Sequence, residues 1–193
     1  GRTSPVLGNH DIITPGAAGY FNYFGSNAPG RYYSFNLGAW HMIALDSNNP
    51  DSAQIQWLRN DLASNQVQCT AAYWHHPLFS SGQHGNNPNM REIWQILYDN
   101  NAEIVLSGHD HLYERFAPQN ANGQADTNGI RQFIVGTGGA PLYNMGTQKA
   151  NSEIFNNQAH GILKMPLKPN SYEWEFVPIA GQSFSDSGTG QCH

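Results

Sequence analysis

Charge is scarce in this chain. Only 12% of its 193 residues are charged, with 9 Lys and Arg against 14 Asp and Glu and a formal net charge of −5. Without a basic cluster to neutralise phosphates along a duplex, no nucleic-acid partner is expected. No apolar run approaches the roughly 18–20 residues of a membrane span, so no membrane partner is expected either. Cysteine is nearly absent: Cys69 and Cys192 lie far apart and match no zinc-ligand spacing. They form either one disulfide tying down the C-terminus or two separate thiols. A loop-rich, base-poor composition leans towards a secreted or periplasmic setting. No signal peptide is visible, and the start at Gly1-Arg2-Thr3-Ser4 lacks a Met, so the natural start is expected upstream.

What is present points to a packed domain. Hydrophobic residues make up 39%, including 5 Trp, 9 Tyr and 9 Phe, which excludes a disordered, collagen-like or coiled-coil chain. The length suits one domain or a large piece of one. Glycine is abundant, as turns and long loops require, and there are 9 histidines, the commonest metal ligand.

Apolar periodicity sets the outline. Ser34–Leu45 reads as a strand pair or one bent strand, ending in the turn-rich Asp46-Ser47-Asn48-Asn49-Pro50. A helix follows, capped by Asp51 or Ser52, with Ile55, Leu58 and Leu62 on one face. Thr70–Trp74 is a short buried strand stopping at His75-His76-Pro77. Pro88 suits a first helical position before Met90, Ile93, Trp94 and Leu97. Ala102–Leu106 and Gln132–Val135 are further strands, and Gly161–Leu167 with Tyr172–Val177 read as a meander whose aromatic residues share one face. Strand–helix–strand alternation followed by strands predicts a mixed α/β fold, an α+β sandwich with packed sheets.

Three polar clusters share one design, an apolar run followed by histidine: Val6-Leu7-Gly8-Asn9-His10-Asp11, Ala72-Tyr73-Trp74-His75-His76 and Val105-Leu106-Ser107-Gly108-His109-Asp110-His111. Ligands of open α/β sheets bind at the C-terminal ends of strands, where such loops converge. On an extended loop His109 and His111 can face one site. Each cluster alone has an ordinary reading, a solvated histidine or an Asx turn. Their joint order does not.

Gly8-Asn9-His10-Asp11, Ala72-Tyr73-Trp74-His75 and Gly108-His109-Asp110-His111 resemble the last three blocks of the calcineurin-like metallophosphoesterases, G-N-H-[DE], V-x-x-H and G-H-x-H. Leu112-Tyr113-Glu114-Arg115 resembles the purple acid phosphatase branch in particular. The resemblance runs from residue 6 to about residue 180. It implies a four-layer fold of two packed mixed β-sheets flanked by helices, with residues 1–193 a single catalytic domain truncated at the N-terminus and its first strands missing. It implies metal ligands at Asn9, His75 and His109 for one ion and His111 for the other. His10 and His84 would contact the phosphate and supply catalytic protons. His76, next to the ligand position of His75, reads either as a further substrate contact or as a hydrogen-bonded group supporting the ligands.

The resemblance stops at the front. The family's D-x-[GH] and G-D-x-x-Y blocks, which carry its aspartate ligands, do not precede Gly8. Asp186-Ser187-Gly188 matches D-x-G only formally and reads as a surface turn in a Ser/Gly tail. The implied reaction is hydrolysis of small phosphoesters by a metal-bound hydroxide, using two ions drawn from Fe, Zn or Mn, of which this chain alone would hold at most one tightly. The alternatives are a degenerate or truncated metal-binding domain without activity, a phosphodiesterase of the same fold, or a fragment whose histidines never meet. Nothing in the residues fixes an oligomeric state. His41 reads as a satisfied interior residue, His160 and His193 as solitary, Asp46 as no ligand, and Gly136-Thr137-Gly138-Gly139 as a tight turn near the site. Tyr20, Phe21, Tyr23, Phe24, Tyr32 and Tyr33 read as packing before substrate rim.

Overall fold

A computed structural model describes residues 3–65 and 67–193; Gly1 and Arg2, at the start discussed above, lie outside the described residues. The apolar stretch at 34–45 is a strand pair, β1 (Tyr33–Leu37) and β2 (Trp40–Ala44), antiparallel around a turn at Gly38. The first long helix, α2 (Ser52–Ser64), follows the short α1 (Ala18–Phe24). Asp51 caps α2 by accepting the Gln54 N–H at 2.9 Å. Leu58 and Leu62 are buried on its inner face; Ile55 is half-buried. β3 (Cys69–Tyr73) comes next, and after a long loop a 3-10 turn beginning at Pro88 leads into α3 (Arg91–Asp99). The chain continues through β4 (Ile104–Ser107), β5 (Tyr113–Phe116), β6 (Arg131–Val135) and β7 (Ser152–Asn156). It ends in β8 (Gly161–Lys164), β9 (Ser171–Pro178) and β10 (Ser187–Gln191).

The strands form two sheets. The larger has the order β1-β2-β3-β4-β6-β5-β7, with β2, β3, β4 and β6 parallel and both flanks antiparallel. The smaller, β10-β9-β8, is antiparallel throughout. Parallel strands covered on both faces send alternate side chains into two cores. Ala72, Val105 and Ile134 face α2 and α3, meeting Leu58, Ile93 and Trp94. Ala71, Ile104 and Phe133 face the smaller sheet, meeting Tyr172, Trp174 and Phe176. Each fully buried aliphatic side chain contributes about 1.5–3 kcal/mol. The outer face of the smaller sheet, with Glu175 and Val177, is exposed. The described residues thus supply helices, large sheet and small sheet, in the expected α/β sandwich with two packed sheets.

The cysteines form a disulfide, Cys69 to Cys192, with Cα atoms 5.5 Å apart. It pins the last strand's end to the start of β3. No helix among the described residues is long and apolar enough to cross a membrane. His41 is buried with ring nitrogens 2.7 Å from Asn36 Oδ1 and 2.6 Å from Asp61 Oδ2, a satisfied interior residue. Tyr20 packs with Phe21 and Phe24, while Tyr23 is 83% exposed.

Two local expectations are corrected. Val6-Leu7 is buried at Leu7 yet outside any strand. Asp186-Ser187-Gly188 is no surface turn: Asp186 is buried, accepting bonds from Tyr113 Oη, Arg115 Nε and Trp174 Nε1, and β10 starts at Ser187.

Candidate metal centre

β3 and β4 are parallel neighbours, and their pairing continues past the strands. The Trp74 N–H donates to Leu106 O at 3.0 Å and the Gly108 N–H to His75 O at 3.0 Å. This ladder sets His75 beside Gly108, one residue from His109. The Asp110 N–H then donates to Gly108 O at 2.8 Å, closing a three-residue turn around His109, whose φ is 63°. A non-glycine residue held at positive φ in so tight a turn is strained, and such strain concentrates at working sites.

A third segment closes on this corner. The Gly8 N–H donates to Asp11 Oδ2 at 2.8 Å, folding Asn9 and His10 into a turn. Asn9 Oδ1 lies 2.9 Å from His75 Nε2, and His75 Nε2 lies 3.2 Å from His109 Nδ1. Three donors from distant parts of the chain therefore stand within hydrogen-bond distance in sequence. His76 joins them: one nitrogen from each of His75, His76 and His109 lies within 4.8 Å of the others.

The remaining predicted residues take different places. The His84 ring sits 4.3 Å from that of His109, so its loop covers the cluster. His111 turns aside: it stacks on Tyr143 at 4.1 Å, and its Nδ1 lies 2.9 Å from Pro141 O. It is near enough to act electrostatically on His75 and His109 but makes no ring contact with either among the described pairs. His10 is exposed beside Asn9. His160 Nε2 lies 3.0 Å from Ala140 O, outside the cluster.

The cluster is kept neutral. Burial, then the neighbouring His76, His109, His10 and His111, pushes His75 down to about 3. Burial, then His76 and His84, takes His109 down to about 4 against the opposing pull of Asp110. Burial also lowers His76, with Asp46 opposing. Imidazoles that resist protonation keep their lone pairs free, the form a cation binds.

Several supporting residues carried no local signal. Ser47, just past β2, accepts the His76 N–H and lies 2.9 Å from its Nδ1. Asp110 is buried between His109 and His111 and holds the covering loop: Ser80 Oγ donates to it at 2.5 Å and the His84 N–H at 2.9 Å. Glu114, also buried, accepts the Ser81 N–H at 2.9 Å and Ser152 Oγ at 2.6 Å. The Gly136 turn passes so close that a Cβ there would stand 2.0 Å from Asp110 O, the tight approach to the site expected of that segment.

Residues 2–113 match the calcineurin-like phosphoesterase family. Purple acid phosphatase 15 of Arabidopsis thaliana is 34% identical over 128 residues, 62% of this chain and 24% of that protein. Purple acid phosphatase 23 of the same plant is 33% identical over 159 residues, 71% of this chain and 34% of that protein. This chain thus spans about a quarter to a third of the length of these relatives. The purple acid phosphatase PPD1 from yellow lupin (Lupinus luteus) seeds shares the fold over 97% of this chain and 38% of its own, with a TM-score of 0.81 and 20% identity.

Proposed function

The chain belongs to the calcineurin-like phosphoesterase family, on its purple acid phosphatase-like branch, and from that premise we propose that residues 1–193 are one catalytic domain whose histidine cluster serves phosphoester hydrolysis. The observation that carries this reading is the meeting of Asn9, His75 and His109, from three separate segments, at 2.9 and 3.2 Å.

The donor set suits a metal. Two neutral imidazole nitrogens and an amide oxygen favour Zn, Fe, Mn or Co over Mg or Ca. Among the described residues no carboxylate joins them. Asp11 accepts the Gly8 N–H, Asp46 accepts Arg31 Nε at 2.8 Å, and Asp110 is taken up by Ser80 and His84. Two cations held close together need shared anionic charge. The chain alone therefore holds one metal tightly, at Asn9, His75 and His109, with His111 left for a second ion. Bound metal supplies Lewis acidity that activates water and offsets the charge developing on phosphoryl oxygens.

The chain's own groups do the rest. In hydrolysis water oxygen bonds to phosphorus, the ester P–O bond breaks, and the departing alkoxide takes a proton. His84 over His109 and His10 beside Asn9 flank the cluster and can deliver that proton. The loop carrying His84, tied down by Asp110 and Glu114, holds the phosphate oxygens in register. The substrates are small phosphoesters. A secreted or periplasmic setting accords with the Cys69–Cys192 disulfide.

Incubation of the purified chain with an aryl phosphate and a bis-aryl phosphate, with and without chelator, tests this. Chelator-sensitive release of the phenol from the monoester is expected, slow for want of carboxylate ligands. Release that ignores the chelator overturns the metal-dependent reading. The carboxylate-free cluster favours one second reading, a metal-binding domain without turnover, which predicts bound metal and no release from either ester.

A further inference from the structure

We propose that His76 is a metal ligand and that His75, His76 and His109 together form a three-imidazole site for one borderline divalent cation such as Zn, Co or Ni. The inference rests on the metal-binding reading above and changes the expected role of His76, which the sequence placed against substrate or in support of the ligands.

His76 has one polar atom to spare. Its N–H donates to Ser47 Oγ at 2.9 Å, and its carbonyl oxygen accepts from Trp74 Nε1 at 2.9 Å. Its Nδ1 lies 2.9 Å from the same Ser47 Oγ. Only Nε2 is left without a partner among these contacts. The ring meets that of His75 edge-on at a centroid distance of 4.8 Å and lies tilted against that of His109 at 4.3 Å. One nitrogen of each ring falls within 4.8 Å of the other two. Adjacent ligands of a tetrahedral ion bound at about 2.0–2.1 Å stand somewhat over 3 Å apart, so a small ring rotation brings the third nitrogen in.

Ser47 is what makes His76 fit for this task. A ligating histidine generally gives its other ring N–H to a fixed acceptor, which selects the tautomer and aims the lone pair. Ser47 is 3% exposed and follows β2, the parallel neighbour of β3. Its hydroxyl therefore belongs to the sheet edge itself. With Nδ1–H donating to Ser47 Oγ, Nε2 is left as the lone-pair nitrogen of a ring whose neighbours are His75 and His109. Three nitrogen donors plus Asn9 Oδ1 give a nitrogen-rich, four-donor set, which discriminates for Zn, Co and Ni against Mg and Ca. A substrate contact would need the opposite, an N–H aimed at phosphate oxygen, and His84 and His10 already flank the cluster for that purpose.

The test titrates the whole 193-residue chain with Zn(II) by calorimetry and with Co(II) by visible absorption. Variants are His75→Ala, His76→Ala, His76→Gln, Ser47→Ala and, outside the cluster, His160→Ala; circular dichroism checks that each is folded. One equivalent is expected for the wild type, with intense four-coordinate Co(II) bands. Both His76 variants should lose tenfold or more in affinity and most band intensity, and Ser47→Ala roughly tenfold, while His160→Ala changes neither. If His76→Ala and His76→Gln bind with wild-type affinity and spectrum while His75→Ala does not, His76 is no ligand and the metal reading survives. If His75→Ala also binds as wild type, or the wild type binds nothing, both fall.

Discussion

The carboxyl carbon of Asp110 lies 2.4 Å from where a Cβ on Gly82 would stand. The carboxylate of the last histidine block is thus pressed against the loop that carries His84, and its oxygens accept from Ser80 Oγ and the His84 N–H. Only glycine leaves room at position 82. The covering loop and the β4 turn are built as one piece, so His84 and His109 meet because Asp110 sits between their segments.

Gly82→Ala should therefore act beyond its size. Overpacking a filled site costs about 1–3 kcal/mol, which in a chain of this length lowers the melting temperature by several degrees. The displaced loop should also become the first site of proteolytic cleavage, between residues 80 and 87. An unchanged melt with an intact loop under limited proteolysis would show that Asp110 does not clamp it.

Acid should weaken the metal-free chain through the cluster. His75 at about 3 and His109 at about 4 lie below the unfolded imidazole value of about 6.5. Between these limits the unfolded chain binds more protons than the folded one, so stability falls as pH falls. The contribution is fully present above pH ~6.5 and is lost on descending towards pH ~3–4. In chelator, melting curves of wild type and His75→Asn between pH 7.5 and 4.5 should diverge, the variant losing less on acidification. Parallel profiles would remove His75 as a cause.

How much of this was legible follows from where the signals lie. Gly108-His109-Asp110-His111 and Ala72-Tyr73-Trp74-His75 are contiguous blocks at strand ends, so the corner could be read from the chain. Ser47 and Tyr143 could not, because each touches its histidine across 29 residues and 32 residues of sequence respectively, with nothing local to mark the pairing. His111, which the resemblance assigns to a second ion, stands close enough to act on His75 and His109, while its own ring stacks on Tyr143. The tail departs from the surface turn its composition predicts for a packing reason. Gly188 and Gly190 pair with Trp174 and Tyr172, and a Cβ on either would stand 2.3 Å or 2.2 Å from those rings. Aromatic side chains of β9 fill the space that the glycines of β10 leave empty, so a paired edge strand, exposed at Ser187, Thr189 and Gln191, presents the composition of a flexible tail.

Asp186, just before β10, is the charge that ties this end of the chain to the core. It accepts from Tyr113 Oη at 2.7 Å, Arg115 Nε at 2.8 Å and Trp174 Nε1 at 3.1 Å, joining both sheets. Burial pushes its carboxyl up, but these bonds outweigh that and leave it below the usual value. Asp186→Ala strands the Arg115 guanidinium, and a loss of about 3 kcal/mol or more is expected by chemical denaturation. A loss under about 1 kcal/mol would mean that Arg115 is satisfied by Glu153 alone.

At the opposite end of the sheet, Glu103 and the disulfide should prove to be one device. Glu103 is 2% exposed and burial, against the opposing Thr70 and His193 N–H bonds, holds its carboxyl at about 7. The folded chain binds the extra proton between about 4.5 and 7. This contribution is therefore present below pH ~4.5 and is lost as pH rises through about 7, opposite in sign to that of the histidines. Glu103→Gln should flatten the alkaline decline in melting temperature. The His193 N–H that helps to satisfy Glu103, at 3.3 Å, follows directly on Cys192. The Cys69–Cys192 bond closes a loop of 123 residues, and its reduction should cost about 2–5 kcal/mol by freeing the unfolded chain. It should also release the His193 N–H from Glu103, removing one of the bonds that hold its carboxyl down. Reduced wild type is thus expected to melt lower at every pH and to show a steeper alkaline limb. A reduced protein whose alkaline limb keeps its original slope would separate the two, leaving the disulfide as a tether alone.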